Sequence, residues 1–437
     1  MAAVPVPLSD LLIAVPVVIL VSRVAAQFLR RLGQPPVVGE ILAGILLGPS
    51  LLGALWPGGQ AWLFDPSVIP YLDMLGNVGL LVFMFLIGLE LDLGTLRGDR
   101  RTALAVSQAG TAVPLVLGAL LALGMYGPLA PDGTDRLSFV LFIGVALSIT
   151  AFPVLARILT DRGLYRSRVG VLALASAAVG DVSAWCMLAA VVAIANSGSP
   201  FGAVTTALYA TAFTLVLFYV VRPLLTRWAA RAERGRSDTV VLVVLFSGLC
   251  VSGYATDRIG VHALFGAFLF GVITPRGSRR AATAAIRLRA FAVPVLLPLF
   301  FVSTGLRTDV SLLAGGSALW WWAGAVLAVA GLGKWGASAL AARLTGTGWR
   351  DAMSIGALMN CRGLTELVVL DIGLGLGIVG PDLFTVLVLM ALVTTAMTTP
   401  ALSLIRRTAA APAPSGDPAA RESADAKGPV PQPAEQR

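Results

Sequence analysis

The chain has 437 residues, of which 57% are hydrophobic and only 13% charged, with a formal net charge of +9. Soluble domains carry about 25% charged residues, so a water-soluble globule is excluded and lipid is the solvent for most of this sequence. The basic excess sits in short clusters between apolar runs, the pattern of loops beside a membrane, which argues against a nucleic-acid partner.

Apolar runs of about 20 residues, long enough to cross hydrocarbon, recur from end to end. In chain order they fall at 8–29, 37–55, 68–89, 102–125, 137–159, 169–195, 201–228, 239–255, 261–274, 291–306, 317–344, 352–372 and 383–404. The expectation is an all-α polytopic membrane protein of about 13 transmembrane helices, the ninth being the shortest. The first run lacks a basic leader and a small-residue cleavage site, so it is expected to be retained. Residues 409–437 are rich in Ala, Pro, Ser and charge. They are expected to form a disordered cytoplasmic tail, leaving 1–408 as the transmembrane domain.

Arginines test the count independently. Arg30 and Arg31, Arg97, Arg100 and Arg101, Arg162, Arg166 and Arg168, and Arg227 and Arg231 follow odd-numbered runs. So do Arg276, Arg279 and Arg280, Arg343 and Arg350, and Arg406 and Arg407, whereas the alternate links hold only Arg136, Arg258 and Arg307. The positive-inside rule then places the N-terminus outside and the C-terminus in the cytoplasm of a cell-membrane protein. Cys186, Cys250 and Cys361 lie inside apolar runs with no paired spacing. They read as small buried hydrophobes, and neither a disulfide, a resident metal nor a cofactor is indicated.

Ionisable groups at mid-span are the informative ones, because each costs at least ~3 kcal/mol to insert. Asp181 lies in the middle of the sixth run, Lys334 in the eleventh, and Asn360, Arg362, Glu366 and Asp371 in the twelfth. Arg362 and Glu366 are four apart and share a face of an unbroken helix. Asp181 has no basic residue nearby in sequence, so its candidate partner is the remote Lys334. A mid-membrane carboxylate whose countercharge is either a proton or a metal cation is the minimal requirement for coupled exchange. The alternative is a buried structural ion-pair network.

Backbone adds a second signal. Ser148-Ile-Thr150-Ala-Phe152-Pro153-Val-Leu-Ala-Arg157 carries a proline inside the fifth run, and Asn360-Cys-Arg-Gly-Leu-Thr365-Glu a glycine among polar residues inside the twelfth. Interrupted helices in corresponding halves of a transporter mark a midplane ion site; an ordinary proline kink is the alternative. With the seventh run as a linker, the fifth corresponds to the twelfth and the fourth to the eleventh. Six spans on each side then have opposite topology, as inverted repeats require.

These residues carry a resemblance. Ser148 to Leu159 resembles the fifth-span motif of the monovalent cation:proton antiporters, especially plant cation/proton exchangers and bacterial potassium-efflux relatives. Pro36-Val-Val-Gly-Glu-Ile-Leu-Ala-Gly-Ile-Leu-Leu-Gly-Pro-Ser50 is similar to their second span, and the stretch from Gly79 to Asp92 to their third. Phe300-Phe-Val-Ser-Thr-Gly-Leu306 and Met359-Asn-Cys-Arg-Gly-Leu-Thr-Glu366 extend the match towards the C-terminal end. The resemblance implies a sodium/proton antiporter fold with two crossed, broken helices, a separate dimerisation domain and alternating access. It implies Asp181 as the shared cation and proton site and Lys334 as the basic residue facing it. Thr150, with Ser148, Phe152 and Pro153, falls at the first broken helix, and Asn360, Arg362 and Glu366 at the second. The implied partners are Na+ or K+, protons, the bilayer and a second copy of the chain, the homodimer meeting through the first, second and central spans.

Where the family commonly has Asn-Asp or Asp-Asp, this chain has Gly180-Asp181. Gly180 argues against electrogenic exchange and Lys334 argues for it, so stoichiometry stays open at this level. Lys334 either pairs with Asp181 in the empty site or only braces the helix core. His262, the single histidine, is expected to serve packing or an interface, and Glu40 and Glu90 to guard a cytoplasmic funnel or stabilise loops. Trp320, Trp321 and Trp322 read as interface anchors. Two rival classes are an intramembrane aspartyl protease, which needs a second catalytic Asp, and a channel or regulator on the same fold.

Overall fold

The computed structural model describes residues 8–90, 100–197, 200–235, 237–315 and 317–407, and every regular element among them is helical. Arg97, Arg236, the end of the third motif at Asp92 and the expected tail at 409–437 lie outside the described residues. In chain order come α1 (Leu8–Arg31), α2 (Pro36–Leu47), the short α3 (Pro57–Leu63), α4 (Ile69–Glu90) and α5 (Arg100–Leu129). α6 (Arg136–Ser148) and α7 (Phe152–Asp161) divide one expected span, and α8 (Arg168–Ser197) follows. α9 (Pro200–Val216) continues through a π-turn into α10 (Arg222–Gly235), before α11 (Asp238–Ile259) and α12 (Ala263–Ile273). π-turns likewise join α13 (Arg279–Phe291) to α14 (Leu297–Leu306) and α15 (Ser317–Ala328) to α16 (Lys334–Leu344). α17 (Trp349–Met359) and α18 (Leu364–Gly375) divide a second expected span, and α19 (Pro381–Arg407) closes the bundle.

Among the described residues, 10 helical runs are long and apolar enough to cross a membrane, and α6 and α12 are shorter apolar helices. Leu12, Tyr219, Trp321 and Leu344 are among many large apolar side chains left exposed on the bundle's outside. A monomer in water does not leave so much apolar surface bare, and lipid is the solvent that matches it. Two of the three cysteines share that outside: Cys186 and Cys250 are exposed and only Cys361 is buried. The expectation of three buried thiols is corrected. Periodicity identifies a span but does not say which of its faces turns outward.

Close helix packing relies on glycine at particular points. A Cβ on Gly44 would lie 2.5 Å from the Val302 carbonyl oxygen, and one on Gly305 2.6 Å from the Gly44 Cα, so α2 and α14 touch backbone to backbone there. Main chains approach this closely only where neither carries a side chain. α5 packs against α6, α8 and α16, which brings Asp181, Lys334 and the first interruption to one place.

Candidate functional site

The first interruption is a true end and restart. Ile149 and Ala151 have extended backbone (ψ 143° and 95°), and Pro153 is the second residue of α7. A proline in the first turn forfeits no helical hydrogen bond, so it opens a new helix here and does not kink an old one. The second interruption runs from Asn360 to Gly363, whose φ of 167° is extended, before α18 begins. The two interruptions touch. The Ala151 N–H donates to the Cys361 carbonyl at 3.0 Å, and the Thr150 hydroxyl to the Met359 carbonyl at 3.1 Å.

A broken helix leaves its last carbonyls without partners and its end with partial negative charge. At the end of α6 two fully buried cations supply both needs. Arg362 donates to the carbonyls of Ala146 (2.9 Å) and Leu147 (2.6 Å), and Lys334 to that of Ser148. Lys334 also donates to the Gly110 carbonyl of α5 at 3.2 Å. Arg362 further pairs with Glu366 at 2.7 Å, both side chains being wholly buried. The expected pair therefore forms, although Arg362 stands in the interruption and only Glu366 is helical. The Arg362 main chain is held on both sides by the Thr395 hydroxyl, which accepts from its N–H and donates to its carbonyl.

The opposite polarity gathers around Asp181. Its carboxylate, buried on α8, lies beside the backbone of Phe152, the first residue of α7. A helix N-terminus is where an anion is favoured. Asp181 Oδ1 has no hydrogen-bond partner. Asp181 also lines a small cavity of about 10 Å3 with Ile149, Trp185, Thr365 and Val369 among others, room for one water-sized sphere. Lys334 forms no direct ion pair with Asp181; its ammonium is held by the Ser148 carbonyl of α6 and the Gly110 carbonyl of α5. Direct pairing, the first of the two expectations for Lys334, is thus not what the geometry displays.

Buried polar atoms without partners are few in folded proteins and mark places needing water, ions or motion. Among the described residues they are Ser107 Oγ, Asp181 Oδ1, Ser338 Oγ, Asn360 Oδ1, Arg362 Nε, Thr365 Oγ1 and Glu366 Oε1, with Gln34 Oε1 apart. All but Gln34 lie on the interruptions or on the helices packed around them. Gly180 faces this region. A Cβ there would meet the Ser107 hydroxyl at 3.5 Å and the Thr111 hydroxyl at 3.9 Å, ordinary contacts, so packing does not demand glycine.

Residues 17–405 match the family described as sodium/hydrogen exchanger, transmembrane. The chain belongs to this family. It is 38% identical over 387 residues to the Na+/H+ antiporter NhaS4 of Synechocystis, covering 88% of this chain and 94% of that one. It is 38% identical over 415 residues to cation/H+ antiporter 20 of Arabidopsis thaliana, covering 91% of this chain and 49% of the relative. With the K+/H+ antiporter 1 of Saccharomyces cerevisiae it shares 34% over 409 residues, 91% of this chain and 46% of the yeast protein. The chain thus spans nearly all of the cyanobacterial relative and about half the length of the plant and yeast ones. The solved structure of the sodium proton antiporter MjNhaP1 from Methanocaldococcus jannaschii superposes with a TM-score of 0.69 at 12% identity, covering 91% of this chain and 99% of the other, and supports the fold alone.

This exchanger also holds an ion-pair cluster that sequence reasoning did not bring together. Arg307, at the end of α14, pairs with Asp73 of α4 and, at 2.6 Å, with Asp371 of α18, while Ser303 donates to Asp73. The twelfth span's second carboxylate therefore belongs to a cluster away from Arg362, because α18 carries it about one and a half turns past Glu366. Asp371 also lines a wider cavity of about 470 Å3 with Asn77, Val192, Asp257, His262 and Ile372. Val192 and Ile372 lie one helical turn beyond Leu188 and Val369, which line the small Asp181 cavity. His262 caps α12, its Nδ1 accepting the Leu264 N–H at 3.4 Å. Glu40 is buried on α2, and Glu90 pairs with Arg289.

Proposed function

We propose that this exchanger is a secondary active antiporter that trades a monovalent cation, Na+ or K+, for H+, with Asp181 holding each in turn. One observation carries the reading: a buried carboxylate beside the start of α7 has an oxygen without a partner and lines a cavity sized for a single small occupant. The buried carboxylate nearest the second interruption, Glu366, already has an arginine. A proton and a cation cannot both neutralise Asp181, and competition for one negative charge is what couples their fluxes. The relatives, named as Na+/H+, K+/H+ and cation/H+ antiporters, support the same class and leave the cation among Na+ and K+.

Thirteen spans follow if each interrupted pair and the short α12 count as one crossing, with the N-terminus outside, the C-terminus cytoplasmic and the two halves inverted. Alternating access then moves the body carrying the crossed interruptions and α8 against the remainder. The wider cavity beside Asp371 is the approach from one side. A homodimer through the first, second and central spans suits the large lipid-facing surfaces of α1 and α9, and native mass measurement finding only monomer in lipid would exclude it.

The decisive experiment is cation-dependent dissipation of a pH gradient in proteoliposomes, scanned over sodium, potassium, lithium and rubidium. Asp181→Asn is expected to insert and fold yet to lose exchange altogether. Retained cation-dependent exchange in that variant would overturn the mechanism.

A further inference from the structure

Thr365 stands in the first turn of α18, buried, and is one of the residues that line the same small cavity as Asp181. A threonine inside a helix ordinarily turns its hydroxyl back to the carbonyl three or four residues earlier. Thr274, Thr394 and Thr398 in this bundle all do so. For Thr365 those carbonyls belong to Cys361 and Arg362, which lie in the interruption and are engaged elsewhere, by the Ala151 N–H and the Thr395 hydroxyl. Thr365 Oγ1 consequently has no partner, and neither has Asp181 Oδ1 in the same cavity. Leaving a buried hydroxyl unsatisfied is costly, and an occupant of the cavity removes that cost.

We infer that Thr365 is a ligand of the transported cation and sets its affinity. This rests on Asp181 being the exchange site. A hydroxyl oxygen donates lone pairs to a hard monovalent cation but holds no proton in competition with a carboxylate. The two substrates of Asp181 are therefore distinguished by Thr365: the cation gains a second oxygen ligand, and the proton does not need one. The interruption makes this possible, since in a continuous helix the same hydroxyl would be spent on the backbone.

The test compares Thr365→Val, which keeps the shape and removes the oxygen, with Thr365→Ser, which keeps the oxygen. In proteoliposomes Thr365→Val is expected to raise the KM for the transported cation about tenfold or more, the loss of one charged hydrogen-bond-strength contact. The rate at saturating cation should fall much less, and Thr365→Ser should stay close to the parent. An unchanged KM in Thr365→Val, or a lower maximal rate with KM intact, overturns the assignment. Asp181→Asn in the same vesicles separates the two claims. If it is inactive while Thr365→Val behaves as the parent, only the Thr365 assignment fails; if it still exchanges, the site itself is wrong. Should the valine variant fold poorly, the melting temperature of Thr365→Ala in detergent decides. The rise produced by added sodium or potassium in the parent is expected to shrink in Thr365→Ala and persist in Thr365→Ser, and an undiminished rise in Thr365→Ala refutes the assignment.

Discussion

The Ala151 N–H donates to the Cys361 carbonyl at 3.0 Å, so main-chain atoms alone tie the interruption in the first half of the chain to that in the second. The Thr150 hydroxyl adds a second tie to Met359. Arg362 then reaches back from the second interruption to the carbonyls that the first one left open. Each break supplies what the other lacks, and the proposed ion site lies beside them.

Arg362 should be the most costly side chain to remove. Arg362→Met leaves Glu366 as a buried unpaired charge and strips donors from Ala146 and Leu147, a loss of about 3–5 kcal/mol by the behaviour of broken buried pairs. Thermal melting in detergent is expected to show a large drop. The double variant Arg362→Met with Glu366→Met should recover part of it, because no lone charge remains. A single variant that melts like the parent would mean that the pair does not support the fold.

Lys334 is expected to act as a brace. Its ammonium ends α6 at Ser148 and ties that end to α5 at Gly110. Hydrogen bonds to charged groups contribute about 1.5–3 kcal/mol each, so Lys334→Gln should lower the melting temperature clearly. The pH dependence of whatever exchange remains should match the parent. A displaced pH profile with unchanged stability would instead make Lys334 a participant in coupling.

Gly180→Asn should be tolerated. The Cβ would meet the Ser107 and Thr111 hydroxyls at ordinary distances, and Ser107 Oγ is a partner in waiting. Glycine in a helix interior is also less favourable than most residues it is exchanged for. Stability is expected within about 1 kcal/mol of the parent, with exchange retained and the cation KM altered. A folding failure would show that the glycine serves packing after all.

Composition, the spacing of apolar runs and the alternation of arginines determine a great deal by themselves: a polytopic helical membrane protein, and Asp181, Lys334 and Arg362 as its anomalous residues. These were legible because lipid penalises charge and an open backbone so heavily that every exception stands out along the chain. The five motifs also carried the family. The sequence could not say where a buried cation's donors go. Lys334 looks like a partner for Asp181 when charges alone are counted, but the end of α6 brings the Ser148 carbonyl to its ammonium. Asp371 reads as part of the Arg362 constellation until α18 carries it to Arg307.

Thr365 shows the limit most clearly. Threonines are common in these spans, and nothing in its immediate neighbours marks this one. Its hydroxyl is left open only because Ala151, remote in sequence, and Thr395 engage the two carbonyls it would otherwise use. Hydrogen-bond satisfaction is a property of the assembled bundle, since each acceptor's partner can come from any helix that packs beside it. The residues that lipid penalises are therefore readable one at a time, whereas the oxygens left free for an ion emerge only when the two interruptions meet.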